Sequence, residues 1–293
     1  MGSAIWGGLR KIISAEQFRG LNLFTFSLAA PALLFAGGTA GHAAGGGAAL
    51  AFFLGTTLLY VAVLWGAVRL GRVPLGAAGT LALNTTFGNI VMMGIPLIAA
   101  AYGEAGLSIL LTILALHSMV LLGTATVVAE IGQNAGARWD RVLLATVTGV
   151  LRNPIVMAVI SALIWSALAL PVPGFVRRTL EMLGGAGPPV ALFCLGGSLL
   201  GFTVRGAIGS LVAIVSLKLL ALPVLVWAAC AALALPALDT AVAVTTAGLP
   251  TGANAFLLAQ RYAVEADRSG AAVLVGTALS VLTLGGLVAW FGG

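Results

Sequence analysis

The sequence predicts an all-α integral membrane protein with about nine or ten spanning helices. Three observations lead there. Of 293 residues, 60% are hydrophobic and only 8% are charged, whereas a soluble domain carries roughly 25% charged residues. The apolar residues lie in long blocks: Ile109 to Val128 and Leu211 to Leu235 each reach the roughly 20 residues that cross a bilayer as a helix. No segment shows the short alternating strands of a membrane barrel, so backbone polar groups inside lipid must be satisfied within helices.

A short block, Gly2 to Leu9, comes first. Full blocks follow at Leu21 to Gly38, Ala48 to Leu70, Gly76 to Tyr102 and Ala105 to Ile131. After a polar stretch, Gly132 to Arg141, come Asn153 to Val172, Val176 to Phe202, Ser210 to Leu235, Ala237 to Tyr262 and Gly270 to Phe291. The Gly-rich run Gly41 to Gly47 reads as a turn or linker. Gly2 to Leu9 makes only about 12 Å of helix, under half the hydrocarbon thickness. The first helix is therefore expected to be truncated.

The formal charge of +6 does not mark a nucleic-acid face, because the basic residues are scattered singly between apolar blocks. They sort by loop. Arg10, Lys11, Arg19, Arg69, Arg72, Arg138, Arg141, Arg152, Arg205, Arg261 and Arg268 fall on one side of the predicted helices, and Arg177 and Arg178 on the other. The positive-inside rule puts the first set in the cytoplasm and the C-terminus outside, in a multi-pass protein of the cell (inner) membrane. Arg177 and Arg178 read as interfacial. Cys194 and Cys230 both lie in apolar segments, which indicates neither a disulfide framework nor a thiolate metal site. Lys11 and Lys218 are the only lysines, and neither sits in a phosphate-binding GxxxxGK[ST] loop. No cofactor is expected, and energy for transport would come from a gradient or a partner subunit.

The chain matches itself at an offset of 160: Thr85, Thr86, Gly88, Leu97, Ala99 and Tyr102 against Thr245, Thr246, Gly248, Leu257, Ala259 and Tyr262. At 159, Ala32, Leu33, Gly37 and Gly38 match Ala191, Leu192, Gly196 and Gly197, and Ile5, Trp6 and Leu9 match Ile164, Trp165 and Leu168. A repeat unit of five helices re-enters from the opposite side, so the expected architecture is two inverted five-helix repeats.

Both copies carry a helix breaker. Pro96 cannot donate to the carbonyl of Met92, nor Pro250 to that of Thr246, and Gly88 and Gly94 weaken the first helix further. Paired interruptions in two halves point to a binding site. Each break frees a half-helix N-terminus with unpaired N–H groups, equivalent to roughly half a positive charge. Two such ends suit one carboxylate. The expected substrate-binding residues are Asn89, Gly94, Pro96, Pro250, Thr251 and Asn254. The prolines lie 154 residues apart, not 160, so the two breaks are not expected to superpose residue for residue. Proline kinks and Asn or Thr bridges are also ordinary features of membrane helices; the pairing favours function.

Lys218 is the one charge deep within a predicted helix, about eight residues in from Ser210, and either serves function or snorkels to the interface. His117 reads as a packed, neutral, hydrogen-bonded side chain or a proton relay. With Asn84 and Thr246, these are the candidates for coupling or gating. No Asp or Glu lies at a helix midpoint, which argues against a carboxylate proton relay or a carboxylate sodium site. With His42 and His117 the only histidines and no carboxylate pair at membrane depth, an intramembrane enzyme is not expected.

Asn89 to Leu97 followed by Tyr102-Gly103 resembles the first crossover motif of the auxin efflux carrier family. Leu249 to Asn254, with Ala259 and Tyr262, resembles the second; Arg152-Asn153-Pro154 and Pro189 through Gly197 also resemble family positions. The resemblance covers nearly the whole chain from Arg10. It implies a bile-acid-symporter-like fold with a scaffold (1–45 and 153–203) and a moving crossover domain (46–131 and 208–293). It also implies a homodimer, with malonate-type carboxylates carried by bacterial members and auxin by plant ones. Asn89, Pro96, Pro250 and Asn254 would occupy the substrate crossover. The truncated first helix departs from the family pattern.

These expectations converge on a secondary transporter of small organic anions working by elevator-type alternating access in the lipid bilayer. A negative cytoplasm lets an anion leave without a coupled ion, whereas uptake needs a coupled proton or sodium. The rival readings are an anion channel or uniport pore and a non-transporting membrane subunit.

Overall fold

The computed structural model describes residues 14–39, 45–133, 154–198 and 208–292. The short block Gly2 to Leu9, the polar stretch beyond Gln133, Arg152-Asn153 and Arg205 lie outside the described residues. The described elements are helices throughout. In order, α1 (Ala15–Phe24) passes through a π turn (Thr25–Ala29) into α2 (Ala30–Gly38), followed by α3 (Gly46–Arg69) and α4 (Leu75–Thr86). A second π turn (Ile90–Gly94) leads into α5 (Ile95–Gln133), and α6 (Pro154–Ala167) and α7 (Gly174–Ser198) follow. Next, α8 (Ile208–Ser216), a π turn (Leu217–Ala221) and α9 (Leu222–Ala232) form one rod. The chain closes with α10 (Ala237–Ala247), α11 (Ala253–Arg261) and α12 (Ala266–Gly292).

Among the described residues, five segments are long and apolar enough to cross a membrane: Glu16–Gly38, Gly46–Arg69, Ile90–Gln133, Ile208–Ala232 and Ala266–Gly292. The third has 44 residues, which at 1.5 Å each would be about twice the hydrocarbon thickness. It is two segments joined at Gly103, whose φ of 64° and ψ of −162° are not helical and suit only glycine. The two sequence blocks that end at Tyr102 and begin at Ala105 meet there.

Helix starts follow proline chemistry. Pro74 and Pro236 precede α4 and α10 with extended backbones (ψ 145° and 154°). A proline there costs no hydrogen bond, because the first-turn N–H groups have no helical acceptor.

The first break differs from the sequence expectation. The chain leaves α4 at Phe87 and resumes helical bonding at Ile90, so the interruption precedes Pro96 instead of centring on it. Pro96 is the second residue of α5, immediately after the π turn. Pro250, by contrast, lies inside its own break, between α10 and α11. The α4 and α10 ends, Thr86 and Ala247, are 161 residues apart. The helix ends therefore come within one residue of the 160 offset of the sequence matches, whereas the prolines miss it by six.

Two sets of helices pack among themselves and also against each other, through α5 on α2 and α6 and α11 on α7, with Phe26 and Leu34 sharing one buried cluster with Leu83, Phe87 and Leu258. The first joins α2 to α6 and α7, with the π turn at Thr25–Ala29 also against α7. The second joins α3 to α4 and α9, α4 to α5, α10 to α3, α5 and α9, and α11 to α12. Phe52, Ile90, Ile98, Leu110, Leu222, Val242 and Leu249 form a buried cluster within the second group. The opposite helix faces expose Leu58, Trp65, Val224, Trp227, Leu282 and Trp290, an apolar surface that suits lipid.

Candidate functional site: the helix crossover

Where α4 and α10 stop, the chain segments Phe87-Gly88-Asn89 and Pro250-Thr251-Gly252 pass each other antiparallel, bridged at Gly88 and Thr251. The Asn89 N–H donates to the Pro250 carbonyl at 2.9 Å, and the Gly252 N–H to the Phe87 carbonyl at 3.0 Å. Broken helices leave orphan backbone groups that have no water to turn to inside a membrane; here each break supplies partners for the other. The approach requires a glycine. A Cβ on Gly252 would lie 2.8 Å from the Phe87 ring and 3.0 Å from the Gly88 carbonyl oxygen.

Side chains lock this crossing. Thr251 Oγ1 donates to the Asn84 carbonyl at 2.8 Å. Asn84, itself buried, donates from Nδ2 to Ser269 Oγ at 2.6 Å, and its Oδ1 has no partner among the described residues. The Gly88 N–H donates to His117 Nε2 at 3.2 Å. An accepting Nε2 carries no proton, so the imidazole is the neutral tautomer protonated at Nδ1. The Phe87 and Phe52 rings pack on it at centroid distances of 4.5 and 5.8 Å. Lys218, 1% exposed, donates from Nζ to the Ala247 carbonyl at 2.6 Å. Tyr102 and Thr245 pair through their hydroxyls at 2.9 Å.

Beside the crossing lies a cleft that is nearly closed in this conformation, with about 30 Å³ of free volume. Its walls include Asn89 to Met92 from one break and Gly252 to Asn254 from the other, with His117, Ser118 and Leu33. Both half-helix N-termini therefore open onto one space. The N–H groups of Ile90, Val91, Ala253 and Asn254 belong to first turns and have no helical acceptor. Asn89 and Asn254 are half-buried, and neither side-chain amide has a hydrogen-bond partner among the described residues. The cleft is thus rich in donors and carries no acidic side chain in its lining. Among the described residues no three His, Cys, Asp or Glu side chains cluster as a metal site would require.

The expected site residues divide. Asn89, Asn254 and His117 line the cleft. Pro250 and Thr251 build the crossing behind it, through the Pro250 carbonyl and the Thr251 hydroxyl. Gly94 packs on Leu249, which a Cβ there would meet at 2.8 Å. Pro96 faces a separate apolar groove with Met92, Met93, Leu97 and Val281. Asn84 and Lys218 stand at the helix ends of the crossing, outside the cleft lining. Thr246 turns its hydroxyl to the Val242 carbonyl of its own helix at 2.6 Å. Lys218 does not snorkel. Arg177 donates to the Thr39 carbonyl at 3.1 Å, which caps the end of α2. Ser118 and Leu33 escaped the sequence reading; Ser118 follows His117 directly, but Leu33 carries no chemical signal at all.

A family model described as "Membrane transport protein" matches residues 1–288. The chain belongs to that family. It is the family to which the crossover motifs pointed, one of membrane transporters and not of enzymes. A curated protein of Rhizobium meliloti (strain 1021), named "Putative malonate transporter", is 26% identical over 237 residues, covering 80% of this chain and 74% of that one. The family and the apolar helices together make this a multi-pass membrane transport protein.

Proposed function

We propose that the protein is a secondary carrier of small organic anions, malonate-like or auxin-like carboxylates, which it binds by one carboxylate in the crossover cleft. The observation that carries this reading is the meeting, at one cleft, of two half-helix N-termini and two amides, Asn89 and Asn254, that are unpartnered among the described residues. Unpaired N–H groups and helix dipoles favour an anion there, and the absence of a fixed charge in the lining lets it leave again. The family match and the name of the Rhizobium meliloti relative agree with a carboxylate substrate.

The carrier would work by an elevator motion. Residues 1–45 and 153–203 would be the scaffold, and residues 46–131 and 208–293 the moving domain, related as inverted repeats. Leu33, from the first group, walls the cleft opposite the crossing. Sliding one group along the other would open this tight space to each side in turn. The protein would work as a homodimer in the cell (inner) membrane with its C-terminus outside.

The test is uptake of radiolabelled malonate into proteoliposomes, with wild type compared to Asn89→Ala and with unlabelled malonate loaded on the far side. Saturable flux that is accelerated by internal malonate and lost in Asn89→Ala is the expected result. Flux without saturation or exchange means a channel. Absence of flux for malonate and a panel of small carboxylates removes the substrate class.

A further inference from the structure

The helix ends of the crossing do not balance electrically. Each half-helix N-terminus is equivalent to roughly +0.5 charge and each C-terminus to roughly −0.5, so four ends facing one crossing sum to about zero. Lys218 adds a full charge. It lies in the π turn Leu217–Ala221 of the rod Ile208–Ala232 and is among the largest fully buried side chains. Its ammonium reaches the carbonyl of Ala247, the last residue of α10. That carbonyl would have bonded residue 251 had the helix continued, but Thr251 has crossed over to bridge Gly88. A buried charge is costly unless compensated.

Among the described residues, no carboxylate forms an ion pair with this one. The elements packed on its π turn are α4, α8, α9 and α12. The first three contain no Asp or Glu, and α12 carries only Asp267 and Arg268, in its first turn; α10, whose end Lys218 meets, carries Asp239 in its first turn, at the opposite end of that helix from Ala247. The titratable group within electrostatic reach is His117, which accepts the Gly88 N–H and is neutral. In carriers with broken helices, half-helix C-terminal ends and unwound carbonyls are where coupling cations sit.

We propose that Lys218 is a tethered counter-cation: it holds the carbonyl end of α10 where a cation-coupled carrier would hold an inorganic ion, and the substrate carboxylate balances its charge. This rests on the anion-carrier reading above. Lys218 is then a positioning residue. It acts on the anion through the field of the crossing, not by contact, and the loaded crossing is close to neutral. A cation site already filled by a covalently attached ammonium has no room for sodium, so the cycle runs without it.

The test has an arm that needs no substrate. Thermal unfolding is measured in detergent for wild type, Lys218→Ala and Lys218→Met, in choline, sodium or methylammonium chloride at equal ionic strength, with methanol as the neutral control. Wild type should melt at the same temperature in sodium as in choline. Lys218→Ala should melt lower and recover most of the loss, saturably, with methylammonium but not with methanol. Lys218→Met, its void filled, should not respond. A wild type stabilised saturably by sodium overturns the proposal, as does a folded Lys218→Ala that ignores methylammonium or responds equally to methanol. Should Lys218→Ala not fold, wild-type malonate flux with sodium replaced by choline on both sides decides: unchanged flux supports the proposal and lost flux overturns it. If malonate is not transported at all, the anion-carrier reading fails by itself, and the wild-type melting comparison still reads the counter-cation.

Discussion

The two helix interruptions share a backbone plan and differ in what closes their carbonyl ends. At the first, α4 is finished by neutral donors from the other break: the Thr251 hydroxyl on the Asn84 carbonyl and the Gly252 N–H on the Phe87 carbonyl. At the second, α10 is finished by the ammonium of Lys218. The residues 160 and 159 positions before Lys218 are Leu58, which is exposed, and Leu59, which is buried. Related helix ends can thus be satisfied by hydrogen bonding alone or by a charge. Only the charged solution adds a positive charge to the crossing. The N–H sides differ as well, since the Gly88 N–H goes to a side chain, His117, and the Gly252 N–H to backbone.

The largest expected effect separates two glycines that look alike in sequence. Gly252→Ala must displace the Phe87 ring or the Gly88 carbonyl, an overpacking cost of about 1–3 kcal/mol and a clear fall in melting temperature. Gly88→Ala places its Cβ at 3.7 Å from its nearest neighbours, an ordinary contact, and should melt close to wild type. Equal damage from both would erase the asymmetry.

His117→Phe keeps the ring packing but strands the Gly88 N–H, at about 1–3 kcal/mol for a buried unsatisfied donor. Thermal unfolding should report that loss, whereas His117→Asn, which retains an acceptor, should lose less. Asn89→Ala and Asn254→Ala probe the two breaks from the substrate side. Each should weaken malonate binding about tenfold, the value of one charge-assisted hydrogen bond. Neither should shift melting, because neither amide has a partner among the described residues. Unequal losses, measured as KM in proteoliposomes, would show which break holds the carboxylate. The smallest effect belongs to Thr251→Val, which removes one donor to Asn84 at about 1 kcal/mol; Thr251→Ser should restore the melting temperature.

Much of the fold was legible in the sequence, since lipid imposes one rule on every span. The blocks Ala48 to Leu70 and Ser210 to Leu235 sit within a few residues of α3 and of the rod Ile208–Ala232. Pro250 marked the second break correctly, because no donor exists there to continue the helix. Pro96 misplaced the first. A proline near the start of a helix removes a bond that was already missing, so it marks the region of a break and not its centre. Asn89 and Asn254 were legible as amides beside breakers. Thr251 looked the same, yet its hydroxyl turns away to a carbonyl 167 positions distant, a direction that no local pattern encodes.

By itself the sequence determined that the chain spans a membrane as helices, that two of them are interrupted, and which polar residues flank the interruptions. These follow from hydropathy and from the hydrogen bond that proline lacks, both local properties. Only the tertiary structure decided that the two breaks satisfy each other's backbone and open both N-termini onto one cleft. It also decided that Lys218 turns inward to the end of α10. Those are pairings between remote segments, set by which carbonyl meets which donor once the helices have packed, and no residue carries them alone.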